Sequence, residues 1–285
     1  MAGVRRWATA WLALMLLAVA GCSEDVSERT VADDLSHSEA ADVGNLALPR
    51  PVGDHPDPRI RAGAAGRLVA CDGPVHLGGH FAEFEEGWSA DPDGALNRFL
   101  DELIRSVPST DYRPAAESRG RVLFTHDVDG VPKVAVIVAN AAIVETGSAS
   151  TDGWVVETFA SCDPAEFDPS TDDQLQQDVW TDADGNRVAT SVVTSFQGPE
   201  HCGWQSVTFL SLEDQQYLRD PEHRLEEMTV TRFDRDAELP TDAVDTGYRR
   251  GSEELWLAAE AAVAYLVTAA TVEAWPSTTD HVACA

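Results

Sequence analysis

Lysine is almost missing from this chain. Lys133 is the only one in 285 residues, and 20 Lys and Arg stand against 49 Asp and Glu, for a formal charge of −29. Phosphate recognition depends on clustered cations, so nucleic acid is not an expected partner, and neither is a polybasic contact with lipid headgroups. A long membrane-spanning run is lacking at the N-terminus, because the uncharged stretch from Trp7 to Ala20 is too short to cross a bilayer comfortably. Aromatic residues are absent from 23 to 66, which removes the side chains that dominate core burial. The chain has no G-x-S-x-G elbow, phosphate-binding glycine loop or zinc Cys/His spacing. The motif-borne hydrolase, nucleotide and zinc readings thereby lose their usual sequence support.

The opening "MAGVRRWATAWLALMLLAVAGC" has Arg5 and Arg6, a short apolar core and a small-residue exit. This is the order of a secretory signal peptide, which takes no part in the fold. Val19-Ala20-Gly21-Cys22 resembles the bacterial lipobox, which implies a signal peptide over residues 1–21 and acylation of Cys22 as the first mature residue. Ordinary signal-peptidase cleavage with Cys22 as a bystander is the alternative. Twin-arginine export also fits Arg5-Arg6, although Ala8 and Thr9 are not the strongly apolar pair expected there. The expected location is the outer face of the cytoplasmic membrane, with the membrane as partner through the lipid on Cys22. Removal of the leader takes away two arginines and no acid, which makes the remaining chain more acidic still.

Cys71, Cys162, Cys202 and Cys284 remain, an even number in an exported chain, which favours disulfides with three possible connectivities. A faint repeat favours pairing Cys71 with Cys162 and Cys202 with Cys284. Each first Cys is followed by an Asp-Pro, at 91–92 and 220–221, and each half then runs to a terminal Cys. Cys202 in "GPEHCGWQS" could instead be a nucleophile with His201 beside it. Adjacent residues on a strand point to opposite faces, which argues against that pair.

Residues 22–66 read as a disordered acidic tether broken by Pro49, Pro51, Pro56 and Pro58. The rest predicts an α+β fold of two small modules. In the first, 67–167, one helix capped by Asp91 or Asp93 carries Leu96, Phe99, Leu100, Leu103, Ile104 and Val107 to Pro108 and lies on an antiparallel sheet. That sheet includes "RVLFTH" and "VPKVAVIVA" around Asp129-Gly130, and "GWVVETFASC". Residues 168–177 read as a linker. The second module, 178–285, reads as mostly antiparallel β, with a hairpin at Asp184-Gly185 and strands in "WQSVTFLSL", "MTVTRFD", "ELWLA", "VAYLVTA" and "TVEAW". One continuous β-rich domain is the alternative.

Three D-x-D-G stretches, at 91–94, 127–130 and 182–185, lack the Gly and Glu positions of an EF-hand and read as turns and a cap. His76 and His80 are spaced like metal ligands, but Gly78-Gly79 between them disfavours the helix that would align them. No metal or cofactor is expected, and no catalytic residue is assigned. Most of Trp88, Trp154, Trp180, Trp204, Trp256 and Trp275 are expected in the core, with a subset available to line a carbohydrate or peptide groove.

"GWVVETFASCDPAEF", "VWTDADGNRVATSVVTSFQGPEHCGWQSVTFL" and "ELPTDAVDTGYRRG" resemble a group of actinobacterial exported proteins and lipoproteins of unknown function. The resemblance covers most of residues 88–285; it implies no activity and carries over no functional residue. The resulting expectation is a membrane-anchored, disulfide-stabilised, non-enzymatic module that binds an envelope component or another protein. The alternatives are a passive spacer and an envelope hydrolase using paired carboxylates, with Glu83, Glu85 and Glu86 as first candidates.

Overall fold

The strand "VPKVAVIVAN" explains the first half of the molecule. Its valines and alanines alternate between two covered faces, so nearly every residue is buried. This is β4 (Val131–Asn140) in a computed structural model that describes residues 46, 55–80, 89–103, 106–144 and 152–283. It lies third in an antiparallel sheet ordered β1-β5-β4-β3-β2, with β1 (Leu77–His80), β2 (Tyr112–Ser118), β3 (Arg121–Val128) and β5 (Trp154–Ser161). The β3–β4 turn forms at Asp129-Gly130 as predicted, with φ of 52° and 80°. A two-residue turn that matches strand twist needs positive φ at both central positions.

Val134, Val136 and Val138 face α3 (Pro92–Arg98) and pack with Leu96, Phe99 and Phe159. Burying each such side chain contributes about 1.5–3 kcal/mol. Asp91 caps α3 by accepting from the Gly94 amide at 2.7 Å. The helix then passes into a π-helical turn, Phe99–Leu103, which differs from the uniform helix predicted. Phe99 and Leu100 remain buried there, as does Val107 beyond it.

The other face of β4, with Ala135 and Ile137, is covered by α1 (Pro58–Arg61) and α2 (Ala64–Leu68). Both helices begin inside the expected tether, so its boundary at residue 66 is corrected: the chain is folded by residue 58. Pro58 starts α1 behind an Asp57 cap, at the position where proline's missing N–H costs no hydrogen bond. Ala62, Ala64, Ala65 and Leu46 are buried without any aromatic. The fit is close: a Cβ on Gly78 would meet the Pro58 carbonyl oxygen at 2.4 Å, so α1 can lie on β1 only because that position is glycine.

The segment expected as a linker is packed as well. Residues Pro169–Gln174 form a 3-10 helix, and β6 (Gln177–Val179) begins at residue 177. Arg187 clamps this stretch through Asp172 and the carbonyls of Pro164 and Ala165. Gln174 accepts from the Ser109 amide at 2.8 Å. The described residues belong to one compact unit, Glu39–Ala285.

Two further antiparallel sheets follow. One is β6-β7-β8-β9, with β7 (Val193–Gln197), β8 (Thr208–Leu212) and β9 (Gln215–Arg219). The other is β10-β11-β12-β13, with β10 (Val244–Arg250), β11 (Glu253–Leu257), β12 (Val263–Val267) and β13 (Val272–Pro276). They face each other over a core of Trp180, Leu210, Tyr217, Leu255, Leu266 and Trp275. Isolated bridges Thr181–Arg249 and Tyr217–Ser277 join the sheets at both edges. The α+β class with a β-rich majority is therefore present. The Asp184-Gly185 turn forms but is followed by a single bridge, Thr181–Arg187, because β6 pairs with β7 beyond the loop. "MTVTRFD" makes only isolated bridges, at Thr229 and Asp234. Among the described residues, no helix is long and apolar enough to cross a membrane.

Candidate functional site

Cys162 follows the buried end of β5 and is bonded to Cys71. Beside this disulfide the only lysine of the chain is nearly enclosed. Lys133 Nζ donates to the Ala70 carbonyl at 3.0 Å, to Asp72 at 3.1 Å and to Glu166 at 2.8 Å. Burial lowers the Lys133 pKa, but the hydrogen bonds and charges of Glu166 and Asp72 outweigh it and hold the group above its ordinary value. Glu166 also accepts from the Asp72 and Gly73 amides, so it fastens the turn after Cys71. The Glu166 carboxylate and both sulfurs lie within 4.8 Å of one another. With the sulfurs bonded to each other and the carboxylate held by Lys133, this grouping is a structural lock and offers no thiolate.

A cleft of about 530 Å³ opens next to the lock, lined by Asp72, Val75, His76, Asp163, Glu166 and Arg187, among others. His76 Nδ1 lies 3.5 Å from Asp163 Oδ2. Asp163 itself accepts from the Ala165 amide and from both the amide and hydroxyl of Thr190. Its carboxylate is thus engaged in joining the end of β5 to the chain before β7. His80 ends β1 at the exposed edge of the same segment. It lies four residue steps of extended chain, about 13 Å along the backbone, from His76, so the two histidines do not converge.

Cys202 is also disulfide-bonded. Its expected partner, Cys284, lies outside the described residues, as do Cys22, Glu83, Glu85, Glu86 and Trp88. The "HCGW" segment is a 3-10 turn, Glu200–Cys202, closed by Gly203 in the left-handed region, and is not the strand assumed from sequence. The bonded sulfur removes the thiol on which a catalytic Cys202 would depend. The D-x-D-G stretches serve as the α3 cap, the β3–β4 turn and an Asx turn. In the last, Asp182 Oδ1 accepts from the Asp184 and Asn186 amides. Trp180 and Trp275 are core residues, while Trp154, Trp204 and Trp256 are partly buried.

A second recess was not foreseen. It has a volume of about 340 Å³ and opens at one end of the paired sheets, lined by Gln197, Thr208, Arg219, Arg250, Glu253 and Glu273 with Leu266 and Trp275. The signal that could have found it is the change from apolar to polar along one face of successive strands, Val193-x-Ser195-x-Gln197 and Leu212-x-Leu210-x-Thr208. Each strand taken singly reads as ordinary alternation, so the pattern becomes visible only once the pairing is known.

Compared with known proteins, the chain matches no protein-family model, no curated protein and no solved structure.

Proposed function

We propose that this protein is a non-enzymatic binding module anchored by lipid on Cys22 to the outer face of the cytoplasmic membrane, where it engages an envelope component or a protein partner. The observation that carries this reading is the Cys71–Cys162 disulfide just past the end of β5, locked by Lys133, Asp72 and Glu166. Disulfides persist in exported proteins and are rare where thiols are kept reduced. Export agrees with the basic, apolar and lipobox order of residues 1–22. A binding role agrees with two recesses lined by charged side chains that ion pairs hold in place.

Metabolic labelling with an alkyne fatty acid, followed by detergent phase partition, tests the anchor. The wild-type chain is expected to take up label and enter the detergent phase. Cys22→Ala is expected to lose the label and remain aqueous. An unlabelled, soluble wild-type protein overturns the anchored location.

A further inference from the structure

The inside of a paired-sheet structure is normally apolar from end to end, and here it is not. Tyr217, Leu210, Leu255, Leu266 and Trp275 form the core between the sheets. Side chains two residues along a strand share a face, so Gln197, Thr208 and Arg219 face the same interior as Ser195, Leu210 and Tyr217. They lie in one cross-strand row, Gln197 opposite Thr208 and Thr208 opposite Arg219. The facing sheet answers with Arg250 opposite Glu253 and with Glu273 opposite Leu266. The interior therefore ends in a polar chamber of about 340 Å³, within the small end of ligand pockets, about 300–1,000 Å³.

The chamber's charges cancel locally. Arg219 donates to both Glu273 oxygens, at 2.8 and 3.2 Å. Arg250 pairs with Glu253 at 2.6 Å and with Asp178, and it donates to Ser195 at 2.6 Å. Each guanidinium is also set against an aromatic ring, Arg219 over Phe233 at 5.6 Å and Arg250 over Trp180 at 5.2 Å. Beneath them, Trp180 Nε1 donates to Ser195, and Trp275 Nε1 donates to Glu273 at 3.0 Å. These supports fix donors and acceptors in place before any ligand arrives. A phosphate or free carboxylate would have to displace Glu273 or Glu253 from its arginine, and an amine would compete with both arginines. A ligand with many hydroxyls and no charge needs neither, because each hydroxyl can donate to a carboxylate oxygen and accept from a neighbouring N–H.

We propose that this chamber binds a neutral saccharide, about one sugar ring deep, with Arg219–Glu273 and Arg250–Glu253 as paired recognition groups and Leu266 and Trp275 as its apolar floor. The proposal rests on the reading of the protein as a binding module and is independent of its lipid anchor, so failure of the acylation experiment would leave it standing.

The test uses the full chain in a zwitterionic detergent that has no sugar headgroup. Neutral hexoses, pentoses, N-acetylhexosamines and their methyl glycosides are titrated by calorimetry, with the Trp275 indole N–H resonance as the local readout. The resonance is assigned by its loss in Trp275→Phe. At least one neutral sugar at millimolar concentration is expected to shift this resonance. Glu273→Gln, which keeps the shape and breaks one pair, and Thr208→Leu, which fills the chamber, are each expected to weaken that sugar by about tenfold or more. The remaining indole resonances report that these variants are folded. The proposal is overturned if no neutral sugar moves the Trp275 resonance, or if both variants bind as the parent does. It is equally overturned if a uronic acid or an amino sugar binds more tightly than its neutral counterpart.

Discussion

Tyr112 shows at the scale of one residue how burial and hydrogen bonding part company. Its ring packs against the α3 side of the first sheet, but its hydroxyl is buried with no hydrogen-bond partner among the described residues. Burial pushes the phenol pKa above its ordinary value, because a phenolate there would be neither solvated nor paired. A folded-state pKa raised in this way contributes stability that is present below the ordinary tyrosine pKa and lost as pH rises beyond it. Lys133 and Tyr217, both raised, act in the same direction at alkaline pH. Tyr112→Phe removes an unsatisfied group and is expected to raise stability by up to about 1–2 kcal/mol. It should also make the alkaline loss shallower, as read by urea unfolding at neutral and alkaline pH. A destabilised variant would show that the hydroxyl has a partner.

Among the elements, short connections carry much of the organisation. Asp163 caps the 3-10 helix Pro164–Glu166 and receives the Thr190 amide and hydroxyl across 27 residues of sequence. It is buried, so its removal leaves the Thr190 amide without an acceptor. Asp163→Ala is expected to cost about 2–4 kcal/mol in denaturant unfolding, from the lost cap and the stranded donor together. A loss below about 1 kcal/mol would mean that water replaces the carboxylate. The strands with strong apolar patterns, β3, β4, β5, β11, β12 and β13, were legible in the sequence. β9, "QQYLR", and β10, "VDTGYRR", were not. Their inward positions include Arg219 and Arg250, which are stabilised by acids on neighbouring strands. No local hydrophobic period exists there to be read.

For the whole molecule, the Cys71–Cys162 bond closes a loop with a sequence separation of 91. A loop of that length restricts the unfolded chain enough to contribute about 4–5 kcal/mol. Replacing both cysteines by alanine is expected to lower the unfolding free energy by that order under non-reducing conditions. A loss below about 1 kcal/mol would mean that Lys133, with Asp72 and Glu166, holds these ends together without the bond. The high negative charge makes such covalent and buried ionic fastenings more consequential, because self-repulsion opposes the compact state.

The sequence by itself determined the α+β class, the run of strands β3, β4 and β5, a helix cap at Asp91 or Asp93 and the acidic, lysine-poor composition. These follow from periodicity, turn chemistry and composition, all of which act over a few residues. Tertiary structure alone decided that Pro58–Leu68 folds onto the first sheet, that residues 168–177 are packed, and that the paired sheets end in a polar chamber. The packing of Ala62, Ala64 and Ala65 depends on Gly78 leaving room for α1. The chamber exists because Gln197, Thr208 and Arg219, from three strands, fall into one row opposite Glu253 and Glu273. Such cross-strand neighbours are set by register, and register depends on pairing between residues far apart in the chain.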